Sequence, residues 1–293
     1  MNAGQPLYIA VASGKGGTGK TTVAVNLALA FGGAVHLLDC DVEAPNAHLF
    51  LRGGAPAREV VTLPVPVLDP SLCDGCRECS HFCAYHAIAV PGGKPLIFPE
   101  LCHGCGGCAA VCPQKALSEG KRRIGVIETW DAGPIHLVQG RLDVGVAMAP
   151  PLIRAVRENS PDNGMVIVDA PPGTSCPVVA ALRGVDAALL VTEPTPFGLH
   201  DLEPAVQMVR RLGVPFGVIV NRVGVGDRRV HAFCAREGIL MIGEIPDDRR
   251  IAEAYSRGVP LLEALPEYGP LFEDLLQAIV IRWSFKEASR ANL

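Results

Sequence analysis

Short apolar runs alternate along this chain with longer stretches whose apolar residues recur three and four positions apart. Residues 7–12 are an unbroken apolar run, and 22–31 is apolar at helical spacing and is stopped by Gly32-Gly33. Further strands are predicted at 144–147, 165–169, 187–192, 216–221 and 239–243, with helices near 152–158, 178–182, 202–212 and 230–237. Strands alternating with helices imply an α/β fold, a mainly parallel sheet covered by helices and joined by right-handed crossovers. The alternation breaks between Asp41 and Val144. There, 61–68 and 123–128 read as outer strands of a small α+β insert spanning 62–122, entered stiffly through Pro64, Pro66 and Pro70. The larger domain is then 1–61 together with 123–293.

Composition narrows the class. At 293 residues there is room for one large α/β domain plus an insert. A hydrophobic share of 49 % with only 5 % aromatics describes a core of Ala, Val, Leu and Ile, which suits a sheet covered on both faces. No apolar run reaches the roughly 18 residues of a spanning helix, and the chain enters a strand almost at once, so a soluble, cytoplasmic protein is expected. The net charge of −4 lacks the basic balance of a nucleic-acid binder. Near the C-terminus, 271–285 is apolar at helical spacing with Arg282, Lys286 and Arg290 beside it. Three bases there complement a helix dipole and fall short of a polybasic membrane anchor.

The first candidate chemistry follows the first strand. Gly14-Lys15-Gly16-Gly17-Thr18-Gly19-Lys20-Thr21 fits the phosphate-binding loop pattern, and Thr22 begins the helix behind it. Its glycines let backbone N–H groups close around phosphate oxygens, Lys20 reaches the β- and γ-phosphates, and Thr21 ligates magnesium. Two carboxylates at strand ends, Asp41 and Asp169, are placed to meet that magnesium and the attacking water. Asp39 is expected to cap a loop, and Cys40 and His36 to fill a strand.

The second is a doubled cysteine run. Cys73, Cys76, Cys79 and Cys83 spell C-x-x-C-x-x-C-x-x-x-C, and Cys102, Cys105, Cys108 and Cys112 repeat it 29 residues later with Pro113 following. Leu72 and Leu101, Gly75 and Gly104, and Ala87 and Ala116 repeat in register as well. This is the bacterial ferredoxin run, whose fourth cysteine ligates the other cluster. One 4Fe-4S cluster is thereby assigned to Cys73, Cys76, Cys79 and Cys112, the other to Cys102, Cys105, Cys108 and Cys83. Structural zinc pairs two C-x-x-C knuckles across a longer gap, and disulfides need an oxidising compartment, so both fit less well. Ala84 stands where the second copy has proline, which alters a turn and no ligand. His81, His86 and His103 are expected on the surface around the clusters. Cys176 is expected to be buried and inert, with a role as a subunit-bridging cluster ligand the alternative.

Lys15, directly after the first glycine, resembles the deviant phosphate loop of the MinD/ParA-type ATPases. The resemblance extends to 39–46, with Asp39, Cys40 and Asp41, as switch I, 165–173 as a Walker B strand running into switch II, and 218–222 as the strand whose Asn221, followed by Arg222, meets adenine. Glu193-Pro194-Thr195-Pro196-Phe197-Gly198 is read as a rigid loop lining the active site or dimer face, and 245–248 as a purine-contacting loop. The chain is most similar to the subgroup with an inserted two-cluster ferredoxin. That resemblance implies ATP, Mg2+ and two 4Fe-4S clusters as cofactors, and an ATP-dependent homodimer in which Lys15 contacts the partner's nucleotide. The full complement of eight cysteine ligands favours permanent, redox-active clusters and hence electron transfer to an unidentified redox partner. Alternatives are a metallocluster assembly scaffold or carrier and a redox-sensing positioning ATPase. A glutamine-using amide synthetase needs a further catalytic domain, for which no length remains.

Overall fold

The computed structural model describes residues 6–161 and 163–283. In β1 (Leu7–Ala12), Ile9 and Val11 point into one apolar layer and Ala10 and Ala12 into the other, so the strand is covered on both faces. α1 (Lys20–Ala30), β2 (Val35–Asp39) and β3 (Ala57–Leu68) follow. An excursion then carries α2 (Glu78–Phe82), the short β4 (Ile88–Ala89) and β5 (Leu96–Ile97), and α3 (Gly107–Ala110). The chain returns along β6 (Leu117–Ala132) and β7 (Ile135–Leu142), then α4 (Pro150–Glu158), β8 (Met165–Asp169) and α5 (Cys176–Leu182). Next come β9 (Ala187–Thr192), α6 (Pro196–Arg211), β10 (Phe216–Val223) and α7 (Arg229–Arg236). Last are β11 (Met241–Pro246), α8 (Arg249–Ser256), α9 (Leu261–Ala264) and α10 (Gly269–Trp283).

Nine strands make one sheet in the order β11-β10-β9-β1-β8-β2-β7-β6-β3. From β11 to β7 neighbours run parallel; β6 and β3 are antiparallel additions at one side. α4, α5, α6 and α7 cover one face, and α1, α9 and α10 the other. The mainly parallel α/β fold is as the alternation predicts. β6 pairs with β7 only over Gly125–Ala132, so its first half and the facing half of β3 project as a two-stranded ribbon bearing the excursion at its tip. Pro64 and Pro66 lie in that half of β3, at the edge of the sheet. Two residues apart, they leave the same side of the strand without N–H donors and close it to further pairing.

Several element boundaries differ from the sequence expectation. The strand expected at 144–147 is a turn and loop with Val144 fully exposed; the strand is Ile135–Leu142, where His136, Gln139 and Arg141 break the apolar run that would have marked it. The strand expected at 239–243 is shifted to Met241–Pro246, because Ile239 N–H closes the end of α7 onto Cys234 O. Ile245 and Pro246 therefore belong to the strand, not to the loop after it. Pro196–Gly198 open α6, capped by Thr195, whose side chain accepts the Gly198 N–H at 3.0 Å. The outer strands expected at 61–68 and 123–128 are longer, and α10 is described as far as Trp283, leaving Phe285, Lys286 and Arg290 outside the described residues. Among the described residues no helix is long and apolar enough to cross a membrane.

Two glycines let α4 sink onto the β6–β7 pair. A Cβ on Gly140 would stand 2.5 Å from Val42 Cγ1 and 2.9 Å from Val156 Cγ2, and one on Gly125 2.9 Å from Leu152 Cδ2. Val42 follows Asp41 directly, and its carbonyl accepts the Leu142 N–H at 2.9 Å. Gly140→Ala should therefore destabilise the fold by about 1–3 kcal/mol, the usual cost of overpacking. Urea unfolding should show a lower midpoint at unchanged slope; an unmoved midpoint would mean that the helix yields freely.

Candidate functional site

The carboxyl ends of β1, β2 and β8 meet the amino end of α1, where ligands bind in open parallel sheets. Gly17 and Gly19 take φ of 81° and 94°, a left-handed backbone that turns the loop tightly before α1. The loop is packed as well as bent: a Cβ on Gly14 would clash with Asp201 O at 1.9 Å. The first N–H groups of α1 point at its mouth, where the helix dipole favours an anion. Lys20 is buried there at 7 % exposure, an ammonium that a phosphate can neutralise.

Thr21 Oγ1 donates to Asp169 Oδ2 at 2.6 Å, bringing together two of the three expected magnesium ligands, Asp41 being the third. Asp169 Oδ1 is buried without a hydrogen-bond partner among the described residues, an acceptor that a cation's water shell can satisfy. Burial raises the Asp169 pKa, and the neighbouring Asp39 carboxylate adds to that rise. Asp41 is half-buried; burial raises its pKa as well, and the Lys20 charge works against it. These residues fit Mg2+ with a nucleotide phosphate.

Asp39 is fully buried and caps the loop after β2. Its carboxylate accepts the N–H groups of Asp41 at 3.1 Å, Asn46 at 2.9 Å and Ala47 at 3.0 Å. Burial pushes its pKa up to about 6 despite those three donors. Lys15 Nζ sits 3.7 Å from Glu193 and 3.9 Å from Asp201 of its own chain. Glu193 also accepts from Arg222 at 2.7 Å, and Asn221 Nδ2 donates to Thr18 O at 2.8 Å, holding the phosphate loop from the far side. Glu193 was readable as a carboxylate one residue past a strand end. Asp201, midway along a helix, carried no such mark. His36 lies in β2 against His136, ring planes tilted at 48°; Cys40 is buried just past the end of β2 and not in it as expected; and Cys176 is exposed at the first turn of α5, against the expectation that it is buried. The buried face of α5 is Val178, Ala181 and Leu182, and Cys176 lies off it.

The excursion brings the eight cysteines of the doubled run into two groups. Cys83, Cys102, Cys105 and Cys108 line a cavity of about 220 Å³, with Pro64, Val65 and Phe82 among its walls. Cys73, Cys76, Cys79 and Cys112 line a second, tighter hollow. Each group draws three thiols from one copy of the run and one from the other. The backbone repeats with the sequence: φ is 75° at Gly75 and 68° at Gly104, 70° at Arg77 and 72° at Gly106, 53° at His86 and 49° at Lys115. Ala87 N–H donates to Cys83 Sγ and Ala116 N–H to Cys112 Sγ, both at 3.3 Å, and Gly104 N–H to Cys102 Sγ at 3.4 Å. Such donors stabilise ligating thiolates. Among the described residues no group of three or more His, Cys, Asp or Glu is gathered as for a single metal ion. Four thiols spread around a cavity fit a multinuclear iron–sulfur cluster better. His103 stacks on Tyr85 with centroids 3.5 Å apart at the rim of the larger cavity.

The family of CobQ/CobB/MinD/ParA nucleotide binding domains matches residues 9–261. An uncharacterized protein of Methanocaldococcus jannaschii is 32 % identical, over 88 % of this chain and 92 % of that one. An iron–sulfur cluster carrier protein of Pyrococcus horikoshii is 28 % identical, over 87 % of this chain and 78 % of that one. Among solved structures, the septum site-determining protein MinD of Pyrococcus horikoshii with Mg-ADP aligns at a TM-score of 0.57 and 20 % identity, covering 94 % of this chain and 96 % of that one. At that identity the likeness is one of fold.

The Asp39 carboxyl binds its proton more tightly folded, at about 6, than unfolded, at about 3.9. Its contribution to stability is full below the unfolded value and lost as pH rises through about 6. Thermal unfolding of the nucleotide-free protein should accordingly show stability falling between about pH 4 and about pH 6 from this group, and Asp39→Asn should flatten that slope. Parallel profiles for the two proteins would contradict the assignment.

Proposed function

The chain belongs to the CobQ/CobB/MinD/ParA family of nucleotide-binding domains, and from that premise we propose that it is an ATP-hydrolysing iron–sulfur protein that dimerises around nucleotide. Lys20 and the N–H groups of residues 14–21 hold the phosphates, Thr21 and Asp169 hold Mg2+, and Asp41 orients the attacking water, since phosphoryl transfer chiefly needs positioning and charge compensation. Asn221 leaves Thr18 to meet the purine, with Arg222 beside it. Lys15 leaves Glu193 and Asp201 to reach the partner protomer's nucleotide. An insert spanning about 62–122 supplies the thiolates: Cys73, Cys76, Cys79 and Cys112 for one 4Fe-4S cluster, and Cys83, Cys102, Cys105 and Cys108 for the other. When bound, such clusters supply one-electron redox chemistry, which the nucleotide state would gate toward a partner protein.

The observation that carries this reading is the grouping of thiols four and four, each set crossing between the copies of the run and ringing a cavity. Full coordination by four thiolates favours clusters that stay. A second reading, a carrier that hands clusters to acceptor proteins, is favoured by the names of relatives such as that of Pyrococcus horikoshii. Both need ATP turnover; they differ in whether iron leaves.

Anaerobically purified protein should hold about eight irons per chain and keep them through many ATP turnovers beside an apo-acceptor. Loss of iron to the acceptor would favour the carrier, and zinc without iron after reconstitution would end both readings. Lys15→Ala should bind nucleotide yet fail to dimerise or turn over; monomeric hydrolysis at the normal rate would show that Lys15 does not act across a dimer.

A further inference from the structure

A row of buried polar side chains crosses the sheet from the nucleotide site to the root of the thiol-bearing ribbon. In register, Asp169 on β8 faces Asp39 on β2, Asp39 faces Gln139 on β7, Gln139 faces Glu128 on β6, and Glu128 faces Arg58 on β3. Directly opposed residues share a sheet face. On this face the residues two positions back, Ile167, Leu37 and Leu137, belong to the apolar layer. Asp169, Asp39, Gln139 and Glu128 are none the less at most 2 % exposed.

The two ends of the row are built differently. At the nucleotide end, Asp169 accepts from Thr21, and Asp39 holds the N–H groups of Asp41, Asn46 and Ala47. At the ribbon end, Glu128 accepts from Gln139 Nε2 at 2.7 Å, Arg58 Nε at 2.8 Å and Arg141 Nη2 at 3.1 Å, fastening β3, β6 and β7 together. β6 leaves β7 at Gly125, and Glu128 sits three residues inside the paired stretch that anchors the base of the ribbon. Gln139 stands between the halves, and its Oε1 is buried with no hydrogen-bond partner among the described residues. An unsatisfied buried acceptor destabilises a fold, while the same side chain's Nε2 supplies a donor to buried Glu128. Packing alone does not account for glutamine here.

We propose that Gln139 and Glu128 are positioning residues that tie the root of the ribbon to the loop carrying Asp41, so that nucleotide occupancy and the charge state of the thiol module influence each other. The inference rests on the reading of the thiols as cluster ligands. Neither residue contacts nucleotide or thiols, so both can be changed without touching either site. Coupling between two sites is reciprocal in binding free energy and commonly amounts to about 5–150-fold in affinity.

The test uses the full iron-loaded protein and a non-hydrolysable ATP analogue, whose affinity is measured with the protein oxidised and reduced. The unsubstituted protein should show a ratio within about 5–150-fold. Gln139→Leu should collapse that ratio to about twofold or less, while iron content and oxidised-state affinity stay unchanged and the melting temperature falls modestly, since Glu128 loses its Nε2 donor. Glu128→Gln, which keeps the shape but weakens both arginine pairs, should reduce the ratio in the same direction. A ratio preserved in both variants would overturn the inference while leaving the cluster reading intact. Failure of the unsubstituted protein to retain iron would sink that reading first, and the inference with it.

Discussion

Two carboxylates, Asp39 and Asp169, are buried at opposed positions on adjacent strands, and the working end of the molecule depends on how their charge is met. Like charges so placed cannot both remain ionised without compensation, and burial drives both toward the protonated form. Backbone N–H groups of the loop after β2 satisfy one; Thr21 satisfies half of the other. The remaining oxygen of Asp169, the buried ammonium of Lys20 and the open amino end of α1 form a set that a magnesium-bound phosphate completes. The phosphate loop and the loop bearing Asp41 are both arranged around that pair.

The thiol-bearing excursion obeys a different constraint. Its two halves repeat cysteine spacing, left-handed turns and N–H to sulfur contacts at one offset, and each group of four thiols draws one from the other half. The ribbon that carries it is not a flexible tether. Its β3 strand holds two prolines, and its root is fastened by Glu128 to three side chains.

Much of this was legible in the sequence. Residues 165–169 and 187–192 show unbroken apolar runs because both faces of those strands are covered, and the structure has strands at those positions. The phosphate loop and the doubled cysteine run are local patterns, read without knowing the fold. Asp39 as a loop cap was readable because a carboxylate at a strand end has a turn's N–H groups within reach. What stayed hidden is non-local. β7 was missed because Gln139 and His136 disguise a buried strand, and they are polar for reasons that lie on neighbouring strands. Pro196 was read as loop because two prolines close together look like punctuation, although Thr195-Pro196 is also a helix start. The exposure of Cys176 depends on what packs over it, which no local pattern records.

The central claim is that the nucleotide site and the thiol module are one switching unit. It is tested most directly by redox titration of the iron-loaded protein with no nucleotide, with ADP and with a non-hydrolysable ATP analogue. A coupling of about 1–3 kcal/mol, at about 59 mV per tenfold for one electron, predicts a nucleotide-dependent shift in midpoint potential of about 40–130 mV. Identical potentials in all three states would contradict the account and leave two modules that merely share a chain.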